Sequence, residues 1–149
     1  MIIMMVPLAH SVQVHKAIGH PARLRILYML REGPLCGCQM SAILKLAAST
    51  VSQHLAELRR AGLVTERKDG RWVEYSLAED PSAERTLDAL SPELEKDSVI
   101  RADAILVKAL RKVPLEELCQ VNLDLERLER PAIDTAVRRS TELLETASR

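Results

Sequence analysis

The stretch from Ala48 to Leu63 has the pattern of an amphipathic helix that runs straight into a β-hairpin, and few folds accommodate that junction. Val51, Leu55 and Leu58 fall on one face at helical spacing, while Ser49, Ser52, Gln53 and Ala56 fall on the other. Gly62 ends the helix. Leu63 to Lys68 and Arg71 to Leu77 then read as strands around Asp69-Gly70, a strong short-range hairpin signal.

The rest of the chain predicts more helices. The hydrophobic fraction is 47% but aromatics make up only 2%, with no Phe, so the core must be built from Leu, Ile, Val and Ala. Such a core suits stacked helices better than a β-sandwich. Upstream, Val12 to Ile18 reads as a short helix closed by Gly19, and Ala22 to Arg31 as a second one with Pro21 in its first turn. A third runs from about Cys38 to Leu44, and a tight turn leads to the fourth at about Ala48. Downstream, Asp80-Pro81 supplies a helix cap and first residue, and Ser91-Pro92 repeats the device for a long helix, Pro92 to Val113. Pro114 opens another, with Leu115, Leu118, Leu125 and Leu128 at helical spacing. Pro131 opens the last, through Ile133, Val137, Leu143 and Leu144. The apolar opening, Met1 to Ala9, is too short to span a bilayer and lacks a basic lead, so it reads as an arm or the start of the first helix. Three cysteines without a secretion signal argue against a disulfide framework, and the expected compartment is the cytoplasm.

Formal net charge is zero, but its distribution is not even. Residues 1–77 hold 10 Lys and Arg against 5 Asp and Glu, and residues 78–149 hold 11 against 16. A basic first half marks one functional face. The polar side of the fourth helix offers donors and acceptors that reach base edges in a major groove about 12 Å wide. Arg67, Lys68 and Arg71 flank the hairpin tip, where a wing meets phosphates or an adjacent minor groove. The candidate DNA contacts are therefore Ser49, Thr50, Ser52, Gln53, Arg67, Lys68 and Arg71. A solvated helix face beside a charged turn has the same residues. The order helix, turn, helix, basic hairpin favours the DNA reader.

Three segments carry a resemblance: Gly19-His20-Pro21-Ala22-Arg23-Leu24-Arg25-Ile26-Leu27, then STVSQHLAELRRAGLV, then Lys68-Asp69-Gly70-Arg71-Trp72-Val73-Glu74-Tyr75-Ser76-Leu77. Over roughly residues 12–78 the chain resembles the ArsR/SmtB family of winged-helix repressors. The resemblance implies a mainly α winged helix-turn-helix (α-α-α-α-β-β-α) with extra C-terminal helices. Residues 1–79 would form the DNA-binding domain and first dimerisation helix, and 80–149 a C-terminal dimerisation segment and tail. It implies a homodimer, an inverted-repeat operator and release by a metal, metalloid or other signal. Two departures concern the turn before the reader helix, where Lys45 replaces the usual glycine and Ala47 an often-seen Ser. His54 stands where the family commonly has His and is expected to pack rather than touch bases. His20 is assigned no role.

The signal is read from the cysteines. Cys36-Gly37-Cys38 stands at the start of the third helix, where many winged-helix sequences place a Ser or Thr N-cap, and Gln39 keeps the second half of a capping box. Free amides and the helix dipole there are expected to lower a thiol's pKa, and Gly37 allows both sulfurs to turn toward one ion. Two small residues buried at a crowded helix start fit the same pattern. The arsenic-sensing members carry a Cys-x-Cys in this place, so the resemblance makes Cys36 and Cys38 ligands of trivalent arsenic. Where those members often have a third Cys this chain has Ser41, and Cys119 could complete the set if its helix folds back on the third helix. Cys119 also fits a buried position beside Leu115 and Leu118. Zinc or cadmium at Cys36, Cys38, His10 and His15 is the other metal expectation. A redox, sulfur or organic effector of the same repressor is an alternative, and a metalloid carrier or thiol enzyme a remote one. No base stands beside a nucleophile and no phosphate loop occurs, so an enzyme is not expected.

Overall fold

The computed structural model describes residues 7–149, so the opening arm as far as residue 6 lies outside the described residues. The first helix, α1, spans Leu8–Ile18, four residues earlier than the periodicity suggests, and closes at Gly19. The second, α2, spans Pro21–Arg31. Its cap is His20, whose Nδ1 accepts the Ala22 N–H at 3.1 Å. Pro21 fits the first helical position because an N–H there would have no helical partner.

Beyond α2 the chain forms a two-residue strand that the sequence does not announce, β1 (Leu35–Cys36). Then come α3 (Gly37–Leu44) and α4 (Ala48–Arg60), joined by Lys45 in the left-handed conformation at φ 54°. The hairpin strands are β2 (Val64–Asp69) and β3 (Trp72–Leu77), and the antiparallel sheet runs β1-β3-β2. The hairpin turn lies one position later than expected. Asp69 pairs with Trp72, so the loop is Gly70-Arg71 rather than Asp69-Gly70, and Gly70 takes the positive φ of 59° that its first position needs.

The C-terminal half departs more from the sequence reading. Helix α5 (Pro81–Leu94) starts at the Asp80 cap as expected but runs through Pro92 instead of ending before it. Ser91 is not a cap: its Oγ donates to Leu87 O at 2.9 Å and is bonded by Tyr28 and Arg31 of α2. The next helix, α6 (Ser98–Leu110), begins at Asp97, whose Oδ1 accepts from the Val99 and Ile100 N–H groups. The expected helix through Leu115–Leu128 is also broken. It gives α7 (Leu115–Gln120), two left-handed residues, Asn122 and Leu123, and a 3₁₀ turn at Leu125–Arg127. The last helix, α8 (Pro131–Ala147), packs along α6.

One core joins the halves. Ile26 and Leu27 of α2 and Leu58 of α4 are fully buried, and the cluster continues into Val107 and Leu110 of α6, Leu118 of α7 and Ile133 of α8. Burial of each such side chain contributes about 1.5–3 kcal/mol. Thus the expected boundary at residues 79–80 falls in an extended link, but the packing crosses it. Arg25 of α2 clasps Asp103 of α6 through two 2.8 Å hydrogen bonds, which fixes α6 against the helix that supports the reader.

Candidate nucleic-acid interface and thiol site

Helix α4 turns Val51, Leu55 and Leu58 into the core. That leaves Ser49, Ser52 and Gln53 exposed in one stripe and Thr50 half-buried at its edge. The N-cap, Ala47, offers no side-chain bond to the first-turn amides of α4. Arg67, Lys68 and Arg71 are exposed on the hairpin. Two of them have acidic partners: Arg67 lies 3.2 Å from Glu74, and Arg71 lies 3.9 Å from Glu116 of α7. Arg71 also sits over the Trp72 ring. Lys68 makes no ion pair among the described residues. The basic cluster of the sequence is therefore partly neutralised by two acids that sequence spacing did not single out.

His54 lies off the exposed polar stripe and packs against His20, ring centroids 4.5 Å apart and ring planes tilted by 45°. Burial, then the nearby His20 and Arg23 charges, holds its pKa below the ordinary value. This pair ties the start of α2 to the middle of α4, a role that the sequence did not assign to His20.

The thiols sit where three elements meet. Cys36 ends β1 and caps α3, and its N–H donates to Gln39 Oε1 at 2.9 Å, the expected half of the capping box. Cys36 is buried, Cys38 half-buried and Cys119 exposed. Helix α7, which carries Cys119, packs against α3 of the same chain. Burial pushes the Cys38 thiol up to about 11, with the neighbouring Cys36 and Cys119 adding to it. Burial, then Glu74 and Asp69, pushes the Cys36 thiol up as well. The expected lowering by the helix dipole is thus overturned: α3 has only eight residues, and loss of water outweighs its amides.

No three His, Cys, Asp or Glu side chains among the described residues stand in a ready-made metal cluster. His10 and His15, the expected additional ligands for zinc or cadmium, have other partners in this structure. His10 Nε2 lies 3.2 Å from Asp80, and His15 Nδ1 bonds Ser11 O in its own helix. Ser41, at the position where the arsenic-sensing members often have a third Cys, is buried, and its hydroxyl has no hydrogen-bond partner among the described residues.

A three-stranded sheet of order β1-β3-β2, a helix-turn-helix whose second helix shows a polar stripe, and a basic hairpin define a winged helix-turn-helix regulator. The description "Bacterial regulatory protein, arsR family" matches residues 20–66. HlyU from Vibrio cholerae superposes with a TM-score of 0.53 at 38% identity, over 56% of this chain and 90% of that one. The arsenic resistance transcriptional regulator ArsR1 of Pseudomonas putida is 38% identical over 78 residues, which is 52% of this chain and 59% of that protein. The homodimeric winged helix-turn-helix DNA-binding domain of Mb0332 from Mycobacterium bovis gives a TM-score of 0.54 at 25% identity, over 60% of this chain and 82% of that one. The chain belongs to the ArsR family, a family of DNA-binding transcriptional regulators and not of enzymes. No helix among the described residues is long and apolar enough to cross a membrane.

Proposed function

We propose that this chain is a homodimeric repressor, released from operator DNA when trivalent arsenic or a related thiophilic ion bonds to Cys36 and Cys38, with Cys119 as third donor. The observation that carries this reading is the meeting of α3, β1 and α7: all three cysteines lie on these adjoining elements, and β1 is hydrogen-bonded to the wing strand β3. The donor set is all sulfur, which suits a soft metalloid better than a hard cation. Arsenous acid also reacts with neutral thiols. Each As–O bond is exchanged for an As–S bond while the thiol proton leaves with the hydroxyl as water, and arsenic stays trivalent throughout. Zinc or cadmium must instead expel a proton from each buried thiol.

Ser49, Thr50, Ser52 and Gln53 would read bases, and Arg67, Lys68 and Arg71 would hold phosphates. Dimerisation through α1 and α5, with residues 80–149 as the C-terminal dimerisation segment, is supported by Leu8, Val12 and Leu90. These large apolar side chains are exposed on the two helices. Two reader helices would then lie one duplex turn, about 34–36 Å, apart on an inverted repeat. The name of the Pseudomonas relative agrees with arsenic as the signal, and that of the mycobacterial domain with a homodimer.

The test is an operator-release titration with reduced protein on a duplex it selects from a random pool. Arsenite, zinc, cadmium and a mild oxidant are each added to wild type, Cys36→Ser, Cys38→Ser and Cys119→Ser. Arsenite is expected to release wild type and to fail with Cys36→Ser and Cys38→Ser. Equal release of wild type and Cys36→Ser would overturn the thiol site, and release by the oxidant alone would replace arsenic with a redox signal.

A further inference from the structure

A cleft of about 820 Å³ lies between the reader half and the C-terminal helices, away from the cysteines. Its walls are the end of α3 and the Lys45–Ala48 turn on one side, and α6, α8 and the Asn122–Glu126 link on the other. The volume falls within the range of small-molecule sites, roughly 300–1,000 Å³. The lining is mainly aliphatic, with Leu106, Val137 and Leu144 prominent, and contains no aromatic ring.

Five charged side chains line the cleft, Arg25, Lys45, Asp103, Asp124 and Glu126, and with Ser41 they decide what fits. Arg25 and Asp103 satisfy each other through paired 2.8 Å bonds, which leaves Lys45 against Asp124 and Glu126. Ser41 also lines it, only 3% exposed, and its Oγ is a buried side-chain polar atom without a hydrogen-bond partner. Native buried hydroxyls are nearly always satisfied, so an unmet one at a cavity wall points to a partner from outside the chain. A turn of the Ser41 side chain to another rotamer would present it to an occupant.

We propose that this cleft binds a neutral aliphatic molecule carrying one hydroxyl or carbonyl, which bonds to Ser41. A carboxylate is disfavoured because it would lose water beside three acids, Asp103, Asp124 and Glu126, with Arg25 already engaged and Lys45 the one other cation of the lining. Since the wall includes the turn into α4, an occupant bears directly on the reader helix. This is an input separate from the thiols.

The experiment titrates n-octanol, with octanoate as the charged control, into the reduced full chain by calorimetry. Wild type binds octanol saturably, and octanoate at least tenfold more weakly. Ser41→Ala binds octanol about fivefold more weakly, the worth of one neutral hydrogen bond. Thr141→Trp, an exposed change at the cleft, abolishes binding while circular dichroism stays unchanged. Octanol also slows amide exchange at Lys45–Ala48. Absence of saturable binding to wild type, or undiminished binding to Thr141→Trp or Ser41→Ala, overturns the site. So would loss of the dimer in Thr141→Trp without octanol, since a second copy would then fill the cleft.

Discussion

Cys36 lies directly across from Glu74 in the β1–β3 ladder, and Glu74 lies across from Arg67 on β2. One row of the sheet therefore runs from a buried thiol, through a carboxylate, to a cation on the outer strand of the hairpin. A second route leaves the same neighbourhood through α7, which packs on α3 near its Cys119 end and reaches Arg71 of the wing with Glu116. Any shift of β1 or α7 on ligation reaches the wing through these contacts.

If Arg71 holds a phosphate as proposed, its contact with Glu116 competes with DNA. Both side chains are well exposed, so Glu116→Gln should change stability by less than about 1 kcal/mol. It should tighten operator binding, because Arg71 is then free for phosphate. Arg71→Ala should weaken binding to all duplexes and reduce the slope of log K against log salt by about 0.9. Anisotropy titrations over a salt series measure both.

Ser52 and Gln53 are exposed and contribute nothing to the core. Each alanine variant should cost about 1–3 kcal/mol of discrimination at its own base pair, with the melting curve unchanged. Selection from a random duplex pool checks this: relaxed sequence preference at defined positions is expected, and a uniform loss of affinity would mean phosphate contact instead.

The Arg25–Asp103 clasp holds α6 on α2. Asp103 is nearly buried, and burial raises its pKa despite the opposing pull of Arg25. Asp103→Ala strands the Arg25 charge and should destabilise the fold by about 3 kcal/mol, the low end for broken buried pairs because Arg25 keeps some solvent. Urea unfolding of Asp103→Ala against the double variant Arg25→Met/Asp103→Leu tests it, with the double variant expected to recover most of the loss.

Much of this architecture was readable from residues. The reader helix and hairpin announce themselves because periodicity 3.6 changes to 2 at Gly62. The Asp80-Pro81 cap and the Pro131 start follow from fixed local chemistry. What was hidden depends on distant partners. Ser91-Pro92 looks like a cap, but Tyr28 and Arg31 draw the Ser91 hydroxyl into the α2–α5 contact and the helix runs on. Strand β1 is too short for any period, and only the wing beside it makes it a strand. For the thiols, spacing suggested a pair near a helix start, but their burial, which reverses the pKa shift, comes from packing around them. That α7 would lie on α3 was conditional in the sequence and is a contact in the fold.

His54 gives the chain a pH-dependent term. Its folded pKa lies below the ordinary 6.5, so under acid the unfolded chain takes a proton that the folded chain refuses. The contribution is complete above pH 6.5 and declines as pH falls through the window beneath it. Thermal melts of wild type and His54→Gln between neutral and mildly acid pH should show a smaller acid loss in the variant. An equal or larger loss would contradict the His20–His54 account.

If bonding at Cys36 and Cys38 moves the wing, the single tryptophan is placed to report it, because Trp72 opens β3 at the hairpin tip. Reduced protein would be titrated with arsenite while Trp72 emission and free thiols are followed together. Emission should change and saturate in step with thiol loss in wild type, and stay flat in Cys36→Ser. Thiol loss without any change at Trp72, or the same change in Cys36→Ser, would contradict the account.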